Sequence, residues 1–375
     1  MDLLECRREL DEIDSQIVAL FEKRMEVCGQ VAESKILSGK AVYDGEREKQ
    51  KLASVTSMAH GDFNQTAVQE LFSQMMAISR RYQYQLLARH GKGAELGFRR
   101  IDRICAKGAR VVYQGVEGAY SHGAALHYFG EDADVYHVER FEDAMEEVRA
   151  GRADYAVLPI ENSSAGAVVD MYDLLSRYSN YIVAETFLPV DHALLGTPDG
   201  DLEQVRTVYS HPQALMQSSR YLNSHREWQQ VSMVNTAVAA KKVLEDQDPS
   251  QAAVASEIAG RLYGLKVLDR AIQNNQGNTT RFVVLSREPV YRADAAKISI
   301  CFELPHRSGT LYNILGNFIF NHINMVMIES RPILGRNWEY RFFVDIEGSL
   351  EDAAVKNALL GIGEEAQNLR ILGNY

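Results

Sequence analysis

The chain lacks the features of secreted, membrane and nucleic-acid-binding proteins. Its 375 residues include only four cysteines, with no C-x-x-C and no H-E-x-x-H motif, which argues against a disulfide framework and the common zinc sites. No apolar run approaches the ~18 residues of a membrane span, and residues 1–5 do not resemble a secretory signal. A net charge of −11 argues against nucleic-acid binding. We therefore expect a cytoplasmic protein that contacts neither membranes nor nucleic acids and holds no metal.

Residues 1–90 carry the periodicity of three helices. Apolar residues recur every three or four positions over residues 3–37, which predicts one long helix. Asp44 is a suitable N-cap for a second helix that reaches about residue 58. A third helix is predicted over residues 66–87. The first segment is therefore predicted to be entirely helical.

The rest of the chain predicts two further folded segments. Over residues 110–286 short apolar runs alternate with helical stretches, which indicates α/β layers. Residues 296–375 follow the order βαββαβ, which predicts a ferredoxin-like α+β sandwich. The basic residues 91–109 are interpreted as a solvated linker, with anion binding as the alternative. The chain is thus predicted to be multidomain.

Two cations lie on the apolar stripe of the first helix. At about 100° per residue, Arg24 and Lys35 are about 20° apart and share the face of Leu10 and Ile17. Their long side chains could snorkel to water. Ser79 and Gln83 are placed similarly on the third helix, however, so four polar groups point inward together. An enclosed anion would satisfy them.

Eight polar residues of this segment follow the order found in the all-helical chorismate mutases, which the segment resembles. They are Arg7, Arg24, Lys35, Asp44, Arg47, Glu48, Ser79 and Gln83. The resemblance implies an all-α three-helix domain that forms an intertwined dimer. It also implies that Arg24 and Arg47 hold substrate carboxylates with help from Ser79. Arg7 would act in the partner's site.

The remaining roles implied by the resemblance suit a pericyclic reaction. Lys35 and Gln83 would donate hydrogen bonds to the ether oxygen of chorismate, where charge grows during the rearrangement. Asp44 or Glu48 would accept from the ring hydroxyl. The conversion of chorismate to prephenate requires no nucleophile, so holding a compact conformer is enough.

Four motifs in residues 110–286 resemble those of prephenate dehydratases. They are Gly-x-x-Gly-x-Tyr-Ser at 115–121, Pro-Ile-Glu-Asn-Ser at 159–163, Ser-His-Pro-Gln at 210–213 and Thr-Arg-Phe at 280–282. The family fold is a two-lobed α/β domain, like that of periplasmic binding proteins, with the active site in the cleft. The residues implied at this site are Ser121, Asn162, Ser163, Gln213, Thr280, Arg281 and Phe282.

Each implied role follows from the loss of water and carbon dioxide from prephenate. The departing hydroxyl needs a proton, which Thr280 would supply or relay. Arg281 would bind a substrate carboxylate. The polar side chains of the other motifs would line the cleft. No cofactor is implied.

The last segment resembles the amino-acid-sensing ACT domain fused to these dehydratases. The motif Glu329-Ser330-Arg331-Pro332 matches fully, whereas Gly309-Thr310-Leu311-Tyr312 departs at its second and fourth positions. The resemblance implies an allosteric phenylalanine site. Its residues would be Gly309, Leu311, Asn324, Glu329, Ser330, Arg331 and Pro332.

Over nearly its whole length the chain is similar to bacterial bifunctional chorismate mutase/prephenate dehydratases. The resemblance implies synthesis of phenylpyruvate from chorismate by way of prephenate, with feedback inhibition by L-phenylalanine. The implied domains are 1–90, 110–286 and 296–375, in a homodimer or higher homo-oligomer. Two alternatives are an arogenate dehydratase with a working mutase and a non-catalytic metabolite sensor.

Overall fold

A computed structural model of the chain describes residues 2–90, 96–307 and 309–375. The chain divides into two compact units. One comprises Met1–Leu96 with Ala296–Ile371, and the other comprises Gly97–Ala295 with Leu372–Tyr375. No helix among the described residues is long and apolar enough to cross a membrane.

The first segment forms three helices, as predicted. They are α1 (Leu3–Ser38), α2 (Gly45–Thr56) and α3 (Asp62–Arg89). Asp44 caps α2, because its side chain accepts a hydrogen bond of 3.0 Å from the backbone N–H of Arg47. Helix α3 begins four residues before the predicted start. Gly61 adopts a φ of 83° at the N-cap, and Asp62 then places a carboxylate in the first turn, where the helix dipole favours it.

The apolar residues in the first half of α1 are not covered by other described parts of the same chain. Leu10, Ile13, Ile17 and Leu20 are each at least 50% exposed in the single chain. From Asp2 to Leu20 every residue except Cys6 is exposed. Burial begins further along, at Ala32 and Ile36.

The second segment contains eight helices and strands before residue 190. In chain order these elements and one preceding strand of the predicted linker are β1 (Arg99–Ile101), β2 (Arg110–Gln114), α4 (Tyr120–Phe129), β3 (Asp134–Val138), α5 (Phe141–Arg149), β4 (Tyr155–Asn162), β5 (Gly166–Ala167), α6 (Val169–Arg177) and β6 (Tyr181–Pro189). Their alternation of strands and helices is the α/β pattern that the apolar runs predict.

A second group of elements follows within the same unit. These are β7 (Ala193–Gly196), a 3₁₀ turn (Leu202–Gln204), β8 (Thr207–Ser210), α7 (Pro212–Gln217), α8 (Ser219–Ser224), β9 (Gln229–Ser232), α9 (Thr236–Asp246), β10 (Gln251–Ala255), α10 (Glu257–Tyr263), β11 (Lys266–Asp269), β12 (Thr279–Ser286) and β13 (Val290–Arg292).

Two sheets organise this unit into two lobes. One has the strand order β11-β7-β10-β8-β9, and the other contains the run β6-β12-β4-β2-β3. In the second sheet β2 is parallel to β3 and β4, whereas β12 is antiparallel to β4 and β6. Each lobe has its own apolar core. The α/β class predicted for this segment is confirmed.

Part of the predicted linker is a strand. Arg99–Ile101 pairs in parallel with Val290–Arg292, and the Arg99 side chain lies 2.8 Å from Glu288. Charged side chains are compatible with a short edge strand, because they can remain in water while the backbone pairs. Basic composition alone therefore did not distinguish a connector from an edge strand. Residues 91–95 of the predicted linker lie outside the described residues.

The last segment follows the order βαββαβ. Its elements are β14 (Lys297–Glu303), α11 (Thr310–Phe320), β15 (Met325–Pro332), β16 (Tyr340–Glu347), α12 (Ala353–Glu365) and β17 (Gln367–Asn374). The strand order is β15-β16-β14-β17. The four final residues belong to the other unit, where Gly373 pairs in parallel with Ile182.

Candidate active sites

The first candidate site lies between α1 and α3. The guanidinium of Arg24 donates to the hydroxyl of Ser79 and, at 3.2 Å, to the backbone oxygen of Met75. Ser79 is buried and Arg24 is half-buried. The inward position predicted for these two residues on their helical stripes is therefore what brings them together.

Two further predicted donors occupy the same helices. The ammonium of Lys35 is half-buried and donates to the backbone oxygen of Val42 at 2.6 Å. Gln83 is buried, and its Oε1 has no hydrogen-bond partner among the residues that the structure describes. A buried amide oxygen without a partner costs roughly 1–3 kcal/mol. The polar end of Gln83 is thus a group that a ligand would satisfy.

The predicted residues on α2 and at the start of α1 are more dispersed. Asp44 caps α2, and Arg47 is exposed. Glu48 does not face open solvent, because both of its carboxylate oxygens accept from Arg80 of α3, at 2.5 and 2.6 Å. Arg7 is exposed in the single chain. Its predicted role in a partner's site stays a prediction.

The second candidate site is a cavity of about 390 Å³ in the α/β unit. Both lobes contribute to its lining. The predicted residues that reach it are Ser121, Asn162, Gln213 and Thr280. The loops that follow β2, β8 and β9 all border the cavity, which is where open α/β sheets commonly bind ligands. Gly115 and Gly118 have φ values of 117° and 83°, so the tight loop after β2 requires glycine at both positions.

Thr280 and Asn162 are in direct contact in this cavity. They are cross-strand partners on β12 and β4, and the Asn162 amide nitrogen donates to the Thr280 hydroxyl oxygen at 2.9 Å. The amide oxygen of Asn162 accepts from the backbone N–H groups of Ser164 and Ala165, at 3.0 and 2.9 Å. These two bonds fix which end of the amide faces Thr280. The threonine oxygen is thus an acceptor toward Asn162, and its own proton remains available to a ligand.

The other two residues of the Thr-Arg-Phe motif do not line the cavity. Successive side chains of a strand point to opposite faces, and Arg281 donates to Glu185 at 2.7 Å and to the Tyr375 hydroxyl at 2.7 Å. Phe282 is 1% exposed and packs in the apolar core of its lobe. The expectation that Phe282 contacts substrate is not supported by this position, since the ring is buried among apolar side chains.

Ser163 also lies outside the cavity lining. Its hydroxyl accepts from the backbone N–H of Thr279 at 2.9 Å. It therefore ties the end of β4 to the start of β12, one residue before Thr280. In this structure its contact is with the backbone that carries Thr280.

Sequence reasoning missed a polar cluster in the lining of the cavity. Tyr120 and Gln217 both contact the buried His192, at 2.9 Å from Nδ1 and 3.1 Å from Nε2. Burial lowers the pKa of His192 and raises that of Tyr120, so both are neutral near pH 7. Tyr120 stands inside a motif already noted in the sequence. His192 follows a strand without a recognisable pattern.

The described lining of the cavity combines apolar and neutral polar side chains. Among the described residues no lysine or arginine lines it. The first residues of α4 and the N-cap of α9, Asn235, border it instead. Helix N-termini offer N–H groups and a partial positive charge to anions. Within residues 2–90, 96–307 and 309–375, no group of three or more His, Cys, Asp or Glu is placed to hold a metal ion.

The residues predicted to sense phenylalanine lie on two elements of the last segment. Gly309, with a φ of 80°, is the N-cap of α11, whose first turn contains Leu311. Asn324 precedes β15, and its backbone oxygen accepts from Glu347. The motif 329–332 ends β15 and pairs with residues 340–343 of β16. The structure thus places this motif at the edge of the sheet.

Two family models match separate parts of the chain. Residues 6–84 match the family model "Chorismate mutase type II", and residues 111–290 match "Prephenate dehydratase". Of the solved structures, the prephenate dehydratase of Arthrobacter aurescens in complex with L-Phe is 31% identical. The match covers 71% of this chain and 89% of that one, with a TM-score of 0.66.

Full-length relatives combine both parts. The bifunctional chorismate mutase/prephenate dehydratase of Escherichia coli K12 is 36% identical, with 100% of this chain and 96% of the relative covered. The protein of that name from Aquifex aeolicus is 32% identical, with 100% and 98% covered. The chain belongs to the family of bifunctional chorismate mutase/prephenate dehydratases.

Proposed function

We propose that the two reactions of this enzyme proceed in two separate sites of one chain, and that the C-terminal segment adds control by L-phenylalanine. The conversion of chorismate to prephenate would use the site of Arg24, Lys35 and Gln83. The conversion of prephenate to phenylpyruvate would use the cavity of Thr280. The oriented Asn162–Thr280 pair is the observation that carries the assignment of the second site.

In the mutase site the protein needs only to hold a conformer and stabilise charge. Arg24, which already contacts Ser79, would bind one substrate carboxylate, and Arg47 another. Lys35 and Gln83 would donate to the ether oxygen, which becomes more negative as the bond breaks. The Gln83 atom without a partner among the described residues is the acceptor Oε1, so it supports contact of this buried amide with a ligand and does not fix the direction of the hydrogen bond. Asp44 or Glu48 would accept from the ring hydroxyl.

In the dehydratase site the ring hydroxyl of prephenate leaves as water. Thr280 would donate its proton to the departing oxygen while the ring carboxylate leaves as carbon dioxide and the ring becomes aromatic. The hydrogen bond from Asn162 supports this direction of donation, because it occupies the threonine oxygen from the other side. A proton relayed through Thr280 would return from solvent.

The substrate carboxylates would be held by neutral groups of this cavity. Ser121 and Gln213 offer hydroxyl and amide donors, and the N-terminal turn of α4 offers backbone N–H groups. The absence of lysine and arginine from the described lining favours this arrangement over a contact with Arg281, whose partners include Glu185, Tyr375 and Glu161.

The mutase part would act as a dimer through α1. A stripe of apolar side chains on this helix is exposed in the single chain, and burying it against a second copy would add roughly 25 cal/mol per Å². The exposed Arg7 would then reach the partner's site. Ile13→Glu should shift the chain toward the monomer in sedimentation experiments and reduce mutase activity, while Glu12→Gln on the neighbouring polar face should not.

The C-terminal segment would be an ACT domain over residues 296–375. Its strand order β15-β16-β14-β17 and its two helices support a ferredoxin-like sandwich. The relative from Arthrobacter aurescens solved with L-Phe supports the choice of ligand. We expect Arg331→Ala to weaken inhibition by phenylalanine without lowering the uninhibited rate. An unchanged inhibition curve would remove Arg331 from the sensor.

One experiment tests the whole assignment. The purified chain is mixed with chorismate, and prephenate and phenylpyruvate are followed with and without phenylalanine. We expect both products in sequence and a lower rate of phenylpyruvate formation when phenylalanine is present. If neither product formed, both catalytic assignments would be contradicted. If added phenylalanine did not change the rate of phenylpyruvate formation, the regulatory assignment would be contradicted.

A further inference from the structure

An arginine outside the predicted mutase signature joins that site to the C-terminal segment. Arg80, on α3, is buried and has two carboxylate partners. Its Nη1 donates to Glu48 at 2.5 and 2.6 Å, and its Nη2 donates to Glu365 at 2.9 Å. Glu365 is the last residue of α12. One guanidinium thus links a proposed substrate-binding carboxylate to a second carboxylate that lies 285 residues after Arg80 in the chain.

Arg80, Glu48 and Glu365 form a charged triad, and their buried surroundings strengthen the attraction between them. The three side chains are 8%, 23% and 16% exposed for Arg80, Glu48 and Glu365, so water screens them little. Burial works against the charge of Arg80, but Glu365 and Glu48 outweigh it and raise the pKa of the guanidinium. Both carboxylates accept hydrogen bonds from the single cation Arg80, and Glu365 also interacts with the charge of the neighbouring Arg81.

The C-terminal end of α12 carries negative charges that its own helix dipole disfavours. Glu364 and Glu365 stand in its last turn, where negative charge is unfavourable. Both find partners on the helical segment: Glu364 accepts from the Tyr43 backbone N–H at 2.7 Å and from the buried Tyr84 hydroxyl. The acidic pair is therefore explained by contact with the mutase helices and not by the stability of α12.

A cavity of about 270 Å³ lies beside the triad. Glu48, Arg80 and Glu365 line it together with Thr310, the first residue of α11. Thr310 lies between Gly309 and Leu311 of the proposed phenylalanine site. The start of α11 and the triad thus face one shared space.

We propose that Arg80 is a positioning residue of the mutase site and the link through which the C-terminal segment acts on that site. The inference rests on the proposed role of Glu48 in binding chorismate. While Glu365 shares the cation, Glu48 keeps negative charge for the substrate hydroxyl. When the end of α12 withdraws, Arg80 neutralises Glu48 alone, and the carboxylate becomes a weaker acceptor.

The test compares chorismate kinetics of the full-length wild type, Glu365→Gln, Arg80→Met and the double variant. Glu365→Gln should raise the mutase KM about fivefold, the lower end of typical couplings between sites, with little change in kcat, because the hydroxyl contact is present in both substrate and transition state. In the Arg80→Met background the same change should have no further effect. Dehydration of supplied prephenate should be unaffected by Glu365→Gln.

The control is Glu46→Gln, which removes a carboxylate of α2 that is paired with Lys49 at the surface. It should leave both activities unchanged. A mutase KM that Glu365→Gln does not alter, with a lowered unfolding midpoint, would show that the triad only holds the fold and would overturn the inference. Absence of chorismate turnover in the wild type would overturn the proposed mutase function as well, so the two failures are distinguishable.

Discussion

Asn162 and Thr280 face each other across strands β4 and β12, and the amide nitrogen of Asn162 donates to the hydroxyl oxygen of Thr280 at 2.9 Å. This contact orients the hydroxyl group of Thr280, which is a weak acid. Because the amide oxygen of Asn162 is occupied by two backbone N–H groups, the amide cannot reverse without losing both bonds. Because the Thr280 oxygen accepts from Asn162, the hydroxyl proton is available to a ligand in the cavity.

Thr280→Val tests the proton donor with a side chain of nearly the same shape. We expect kcat for phenylpyruvate formation from supplied prephenate to fall about 100-fold or more, as for the loss of a general acid, with a small change in KM. The mutase activity of the same variant is the control and should persist. Unchanged phenylpyruvate output would remove Thr280 from the mechanism.

Asn162→Asp tests the direction of the hydrogen bond. The carboxylate would accept the proton of Thr280, and we expect kcat to fall about tenfold or more. KM should rise as well, because a negative charge is added beside an anionic substrate. In the Thr280→Val background the effect of Asn162→Asp on kcat should largely vanish, since residues that act through each other are not additive. Additive losses in kcat would argue against an orienting role.

Arg281→Gln separates a structural arginine from a substrate ligand. The Arg281 guanidinium is buried and donates to Glu185, so we expect the free energy of unfolding to fall by about 1.5–3 kcal/mol. The KM for prephenate should change by less than about twofold. Urea unfolding and steady-state kinetics on one preparation measure both quantities. A large rise in KM at unchanged stability would instead restore Arg281 as a carboxylate ligand.

Lys35→Ala tests whether the two sites are separate. Loss of a positioned donor to a growing negative charge typically costs about 100- to 1,000-fold in kcat, and we expect that loss for chorismate. Dehydration of supplied prephenate should continue at the wild-type rate. If both activities fell together in a folded variant, the two reactions would have to share a site.

The buried His192 predicts a loss of stability in acid. Its pKa in the folded chain is lowered from about 6.5, so the unfolded chain binds a proton more readily as pH falls below that value. The stability is therefore complete above about pH 6.5 and declines as pH falls toward the pKa of the folded state. Urea unfolding at pH 7.5, 6.5 and 5.5 should show a smaller decline for His192→Gln. An identical decline in variant and wild type would contradict this assignment.

The sequence predicted those residues of the candidate sites that belong to short, local motifs. Helical periodicity brought Arg24 and Ser79 onto facing stripes, and the two residues are in contact. The family resemblance carried by the strand-end motifs implied that Asn162 and Thr280 would share a cleft, and both line the same cavity. His192 was missed because its polarity has no periodic signal, and it joins the site only through the packing of distant segments.

Composition and spacing by themselves predicted the class of each segment and most of its helices and strands, and the family resemblance indicated the residues able to carry its chemistry. These properties depend on periodicity and on local capping, which act within a few residues. Only the tertiary structure decided that Thr280 reaches the cavity while Arg281 pairs with Glu185, and that Arg80 joins Glu48 to Glu365. Which face of a strand meets a ligand, and which charges meet across a sequence separation of hundreds of residues, is set by the packing of whole elements.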